Sequence, residues 1–143
     1  MTITPNNGDL TAGIAGQYAE SINPEAEALV TGDVPAVFST DETILSGEDL
    51  EALTVVGFDG NGKIVPAVAA DGGTPVQAIG VLVYAVDATG GDAPGHVYRG
   101  GMFNPDMLVW DASYDTDAEK ATAFNGAPSP TQIVIRSITT FSV

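Results

Sequence analysis

The residues of this chain that could support catalysis or metal binding are few, and their spacing does not form a site. His96 is the only histidine among 143 residues, and cysteine is absent. Activated nucleophiles and most transition-metal sites depend on one of these two side chains. Because His96 is flanked by Gly95 and Val97 on a predicted strand, we interpret it as a structural or surface residue. The sequence predicts no catalytic residue, no metal site and no cofactor.

Carboxylates, by contrast, are abundant. Nineteen Asp and Glu face four Lys and Arg, giving a formal net charge of −15 and an isoelectric point near 4.1. Among so many acids no pair stands out as the two facing carboxyls of a glycosidase, so a small hydrolase is disfavoured. Nucleic acids and anionic membranes are bound through Lys and Arg, so neither is an expected partner. Arg99 and Arg136 are expected to pair with acids of the same chain.

Three glycine-rich motifs predict turns rather than ligand loops. Asp59-Gly60-Asn61-Gly62 begins like a calcium loop, but the fifth and twelfth positions of an EF-hand would be Lys63 and Ala70. Its Asp-Gly and Asn-Gly steps are typical of a tight hairpin turn. Gly72-Gly73 and Gly90-Gly91 are not followed by the Lys-Ser/Thr pair of a phosphate loop.

The elements that must hold these residues are mainly strands. Residues 53–58 and 63–68 flank the turn and are predicted to form a hairpin. Residues 76–86 are nearly all apolar, as in a strand buried on both faces. A loop at 89–95 then leads to a partner strand at 96–103.

Two short helices and a last strand complete the predicted body. Asn104-Pro105-Asp106 is a helix start, because Asn can cap and Pro is tolerated in the first turn. Thr116 and Glu119 fit a capping box, and Gly126 is expected to stop that helix in a left-handed conformation. The final strand is expected at 133–135, continuing as far as Phe141. The fold class is mixed α/β and β-rich.

The first third of the chain has a different pattern. Residues 1–47 contain scattered apolar residues separated by glycines, which disfavours long helices, and they are predicted to form an extended arm. Within this arm a short helix is expected after Asn23, with Pro24 in its first turn, and a short strand at 34–39. Residues 48–143 are predicted to form the body.

Four blocks of the sequence carry a family resemblance. They comprise residues 54–59 with 62–67, residues 78–87, residues 97–103 with 107–110, and residues 115–127 with 133–135. In this order and spacing, ending on Thr122-Ala123-Phe124-Asn125-Gly126, they resemble the head decoration (capsid-stabilising) proteins of lambda-like tailed phages. The resemblance covers roughly 60% of the chain. The arm is longer than in the lambda protein, and residues 136–143 extend beyond the usual end.

The resemblance implies a fold, a role and partners. The fold would be a compact domain with a small β-barrel-like (β-tulip) body, and the role would be structural rather than enzymatic. The protein would be a homotrimer on the outer surface of the virion, made in the host cytoplasm, with the major capsid protein as partner. It would bind the expanded capsid at three-fold and quasi-three-fold positions and stabilise it against the pressure of the genome.

The resemblance also implies contact residues. The N-terminal segment of the family adds a strand to a capsid sheet, so the capsid contacts expected in the arm are its apolar residues Ile3, Leu10, Ile14, Tyr18 and Ile22. The trimer or capsid contacts expected in the body are Phe103, Met107 and Trp110. The alternative function is a trimeric β-rich receptor- or glycan-binding module of a fibre or adhesin. That alternative predicts clustered exposed aromatic residues, whereas aromatic residues make up 7% of the chain.

Overall fold

The computed structural model describes residues 29–138, which are mainly strands. In chain order the elements are β1 (Val30–Gly32), β2 (Phe38–Ile44), β3 (Asp49–Leu50), β4 (Val55–Phe58), β5 (Ile64–Pro66), β6 (Ala78–Leu82), β7 (Val86–Asp87), β8 (Ala93–Phe103), a 3-10 helix (Pro105–Met107), α1 (Asp117–Ala121) and β9 (Gln132–Ile135). None of the helices in this part of the chain is long and apolar enough to span a membrane.

Five strands close into a β-barrel in the order β8–β2–β5–β4–β6 and back to β8. The pairs are antiparallel except for β2 and β5, which meet in parallel where Ile44 lies opposite Ile64. Asp59 to Gly62 form the predicted hairpin turn between β4 and β5, with the Asp59 amide donating to the Lys63 carbonyl at 2.8 Å. The β-rich, barrel-like body predicted from the sequence is therefore confirmed.

The barrel interior is filled by one apolar cluster to which every barrel strand contributes. Its fully buried members include one residue from each barrel strand: Ile44, Val56, Ile64, Leu82 and Val97. Side chains alternate between the two faces of a strand, so the residues between them point outward. The interior is therefore a packed core, and only the outward-facing side chains of the barrel can contact other parts of the chain.

Polar residues occupy the interior beside this cluster. Arg99 lies two residues beyond a core valine and is 4% exposed. Its Nε donates to the Thr131 hydroxyl at 2.8 Å, its Nη1 to Glu42 Oε2 at 3.3 Å, and its guanidinium lies 5.5 Å from the centre of the Phe58 ring. The Thr131 hydroxyl in turn donates to the Ile79 carbonyl at 2.8 Å. The expected pairing of Arg99 with an acid is confirmed. The hydrogen bond from Arg99 to Thr131 also joins the C-terminal segment to the barrel.

A second apolar cluster covers the outer wall of the barrel. Val55 and Val81 from the barrel pack there against Phe103, the last residue of β8, and against residues that follow it, among them Leu108, Tyr114 and Phe124. β9 runs parallel to the end of β8, with Ile133 opposite Gly101 and Ile135 opposite Phe103. The segment after β8 therefore forms an outer layer on one side of the barrel.

The strand expected at 34–39 is misplaced. β2 runs from Phe38 to Ile44 and pairs with β8 along its length and with β5 at its end. Its five central residues are polar, and Ile44 is its one fully buried side chain, so the apolar pattern gave no signal for it. Residues 38–44, which the sequence assigned to the arm, therefore form a strand of the barrel.

Three other predicted boundaries change as well. The buried strand at 76–86 is shorter, since β6 ends at Leu82 and residues 86–87 form β7, which pairs with β3. The loop at 89–95 is also shorter, because β8 begins at Ala93. α1 has the predicted capping box between Thr116 and Glu119 but ends at Ala121, and Gly126 (φ +87°) follows only after further turns.

Candidate functional site

The reactive side chains that attracted attention in the sequence are engaged in structural contacts. His96 is exposed as predicted, with Nδ1 2.6 Å from Asp41 Oδ1 and its ring edge-on to Tyr84. Oδ1 of Asp59 accepts hydrogen bonds from two amides of its own turn, Asn61 and Lys63, both at 2.8 Å. Among residues 29–138, no three His, Asp or Glu side chains are placed to hold a metal ion together.

A groove of about 710 Å³ separates residues 68–78 from residues 114–125. Its lining combines apolar side chains, such as Val68, Val76, Ala78 and Ala123, with polar ones. We call it the acidic groove because Asp71 and Glu119 are among the polar lining residues. Ala78 is fully buried and belongs to the outer-layer core. The small alanine side chains leave the space above that core open.

Hydrogen bonds between its two walls hold the groove open. The hydroxyl of Ser113 accepts from the Ala69 amide at 2.9 Å, and the side-chain amide of Gln77 donates to the Ala123 carbonyl at 2.9 Å. A Cβ at Gly72 would lie 2.5 Å from that of Ser113, so the close approach of the walls requires a glycine there. The groove is therefore preformed by the fold.

Negative charge is concentrated around Asp71 and Glu119, which line the groove, and the neighbouring Asp115. A hydrogen bond to Glu119, and then the charge of that carboxylate, raise the pKa of Asp115, and the charge of Asp71 adds to this effect. Glu119 itself keeps a lowered pKa, chiefly because the Thr116 hydroxyl donates to it at 2.7 Å. The ion pairs found within residues 29–138 involve none of these three carboxylates.

A second surface is apolar and lies at the end of β8. Val134 of β9 is directly opposite Met102, and the ring of Phe38 covers Gly100 so closely that a Cβ there would lie 2.3 Å from it. Val134 is 43% and Phe38 36% exposed, and Met102 is half-buried. We call Phe38, Met102 and Val134 the apolar sheet face. β1, the first described strand, and β9, the last one, both pair with β8 beside this face.

The contact residues predicted for the body have different surroundings. Phe103 is fully buried in the outer-layer core and against the Tyr98 ring, so it is a core residue and is inaccessible to another chain. Met107 is half-buried on the 3-10 helix. Trp110 is half-buried, with Nε1 donating to the Pro105 carbonyl at 2.9 Å and its ring 5.0 Å from that of Tyr114. Met107 and Trp110 remain predictions.

The contacts predicted for the arm lie outside the described residues, as does the helix expected after Asn23. The expected continuation of the last strand to Phe141 is wrong, because β9 ends at Ile135 and residues 136–138 are not in a strand. The expected acid partner of Arg136 is not found among residues 29–138, where its Nη1 lies 3.9 Å from the Met102 sulfur. Neither the apolar sheet face nor the acidic groove was predicted. Both arise from residues far apart in sequence, and only the exposed apolar Val134 on a predicted strand could have pointed to the first.

These features define a small β-barrel protein whose candidate sites are two interaction surfaces rather than a cluster of reactive groups. The family model of bacteriophage lambda head decoration protein D matches residues 19–129, which is most of the chain. The chain therefore belongs to the lambda-like head decoration protein family. No curated protein sequence matches it significantly. Family membership supports capsid decoration and head stabilisation as the role, on the outer surface of a bacteriophage virion.

Proposed function

We propose that the protein is a trimer that binds the exterior of the expanded capsid at three-fold and quasi-three-fold positions, and stabilises it against the pressure of the packaged genome. The family match over residues 19–129 carries this proposal. The glycan-binding alternative predicts clustered exposed aromatic rings. The exposed aromatic residues within 29–138 are Phe38, on β2, and Tyr84, on the connection between β6 and β7. They do not form a cluster, so nothing specific favours that alternative.

The proposed attachment has two parts, the first of which is the arm. Residues 1–28 precede the first barrel-associated strand, and we propose that they bind the major capsid protein by strand addition. Backbone hydrogen bonds contribute about 0.5–1.5 kcal/mol each, and apolar side chains fill pockets between them. The arm residues proposed for this contact are Ile3, Leu10, Ile14, Tyr18 and Ile22. A trimer joins three such attachments, so modest contacts combine into tight binding.

The second part is the apolar sheet face. It adjoins β1, from which the arm leaves the body, so we propose that both rest on the same region of the capsid. Burying exposed apolar area stabilises a contact by about 25 cal/mol per Å². Val134 is the best probe of this face, because it is 43% exposed on a strand that pairs only with β8 within the described residues.

Purified protein mixed with expanded, undecorated heads tests this proposal. We expect the protein to co-sediment with the heads, to raise the temperature at which they lose DNA, and to appear as three-fold density on the shell. Deleting residues 1–28, or substituting Val134→Asp, should weaken binding at least tenfold. Tyr84→Asp is the matched control, since Tyr84 is 65% exposed on a connection outside the apolar sheet face, and it should bind normally. Absence of binding at saturating full-length protein would refute the decoration role.

A further inference from the structure

Two Asn-Gly steps lie in the described part of the chain, and all four of their residues are exposed. Asn61-Gly62 belongs to the hairpin turn between β4 and β5, and Asn125-Gly126 belongs to the turns that follow α1. Asn-Gly is the step at which asparagine loses its side-chain amide most readily, because glycine carries no Cβ to obstruct the approach of its own backbone nitrogen. The two steps are chemically alike, so only the fold can make them react at different rates.

The hairpin turn restrains the first step. The Gly62 amide donates to the Asp59 carbonyl at 3.2 Å, and Asp59 Oδ1 accepts from the amides on either side of it, those of Asn61 and Lys63, both at 2.8 Å. The nitrogen that would attack the Asn61 side chain is therefore held by a hydrogen bond. A carboxylate also lies beside it, and negative charge opposes the loss of a proton from the amide.

The turn after α1 places no such restraint on the second step. The backbone of the two glycines is similar, with φ +80° at Gly62 and +87° at Gly126. Among the hydrogen bonds found within residues 29–138, however, none involves the Gly126 amide or the Asn125 side chain. A Cβ at Gly126 would meet only Gln77 Oε1, at 3.6 Å, so there is space beside this glycine. Both groups that must react are therefore exposed and unrestrained.

We propose that Asn125 is a site of spontaneous deamidation in the folded protein and that the hairpin turn protects Asn61. The Gly126 nitrogen attacks Asn125 Cγ, a bond forms between them, and the bond from Cγ to the side-chain nitrogen breaks. The proton of the Gly126 amide leaves with that nitrogen as ammonia. Water then opens the cyclic imide at either carbonyl, which gives aspartate or isoaspartate without any oxidant or reductant. Each event adds one negative charge at a residue that lines the acidic groove.

Ageing the purified full-length protein in mildly alkaline buffer tests the proposal without any capsid. Mass spectrometry of its proteolytic peptides measures the fraction of aspartate and isoaspartate at positions 61 and 125 over time. A backbone hydrogen bond slows a reaction that must break it by about two- to tenfold. We therefore expect deamidation at Asn125 to be faster than at Asn61 by about that factor. Equal rates in the folded protein, or a faster rate at Asn61, would overturn the proposal.

Two controls separate the fold from the local sequence. In concentrated urea the hairpin turn is lost, so the two rates should converge, and a preference for Asn125 that persists unchanged there would overturn the proposal. Asp59→Ala removes the carboxylate that fixes the turn, and it should accelerate deamidation at Asn61 while leaving the rate at Asn125 unchanged. An unchanged rate at Asn61 in this variant would refute the protection assigned to the turn.

Discussion

The buried pair of Arg99 and Glu42 should act as one unit in holding the barrel together. Arg99→Met keeps the length of the aliphatic stem but removes the guanidinium, which is 4% exposed and contacts Glu42, Thr131 and the Phe58 ring. Glu42→Leu instead leaves the buried cation without its carboxylate. The double variant replaces the ion pair by two apolar side chains of similar volume.

The magnitudes follow from burial. Removing one partner of a buried ion pair costs about 3–5 kcal/mol, because the other charge stays buried without compensation. The Glu42 side chain is 20% exposed and keeps the Thr40 hydroxyl at 2.9 Å, so the lower end of that range applies, about 3 kcal/mol for each single variant. Apolar replacement of a whole pair is often neutral. The double variant still removes the donor to Thr131, a loss of about 1–3 kcal/mol.

The assay is a double-mutant cycle in urea, followed by far-UV circular dichroism and by the fluorescence of Trp110 at one fixed protein concentration. If the pair is one buried unit, the double variant costs about 3 kcal/mol less free energy of unfolding than the sum of the single variants. Effects that add to within about 0.5 kcal/mol would refute the reasoning, because they would show that Arg99 and Glu42 contribute independently.

Three further substitutions test local features. Gly80→Ala should lower the free energy of unfolding in urea by about 2–3 kcal/mol, since its Cβ would lie 2.3 Å from Val97 Cγ1 and 2.6 Å from a backbone carbonyl oxygen. Thr116→Ala should cost about 1 kcal/mol in thermal unfolding, because it removes the cap of α1. Lys63→Met should raise the pKa of Asp92 towards 3.8 in carboxyl ¹³C NMR, because the Lys63 ammonium, 2.6 Å away, holds it below that value. The stabilisation from this pair is present above the ordinary Asp pKa and is lost as the pH falls through the lowered one.

Each of these substitutions has a control on the same chain. Gly60→Ala adds a methyl group with no atom within 4 Å, and an equal cost at positions 60 and 80 would contradict the steric argument. Thr116→Ser keeps the capping hydroxyl and should retain most of the stability. Asp87, whose pKa is lowered by the Thr89 hydroxyl, should titrate unchanged in Lys63→Met. A shift of Asp87 as large as that of Asp92 would indicate a general effect of charge instead.

Features determined by short stretches of sequence could be predicted. The hairpin at Asp59 to Gly62 follows from Asp-Gly and Asn-Gly steps between two apolar runs. The capping box of α1 follows from Thr116 and Glu119 at the required spacing. The pairing of β6 with β8 was expected because an apolar run buried on both faces needs a neighbouring strand. In each case the residues that fix the structure are close in sequence, at most 17 positions apart, as Val81 and Tyr98 are.

Features that depend on distant residues were missed. β2 is a barrel strand although its five middle residues are polar, and it is held by backbone pairing with β8 along its length and with β5 at its end. Phe103 was predicted to be a trimer or capsid contact, but the segment after β8 folds back and buries it. The acidic groove is held by side chains such as Gln77, whose partner at Ala123 is 46 residues away. Sequence spacing alone carries no signal for such contacts.

The closed barrel constrains how this protein can attach to a capsid. Each of its five strands pairs with two neighbours, so the barrel itself has no unpaired strand edge, and Arg99 is buried and paired with Glu42. In the proposed mode of attachment, the protein therefore uses what is added to the barrel: the arm before β1 and the apolar sheet face. Strand addition and apolar burial are much less sensitive to salt than exposed ion pairs are. The proposal therefore predicts that most of the affinity for heads survives high salt, and a steep loss of binding with added salt would contradict it.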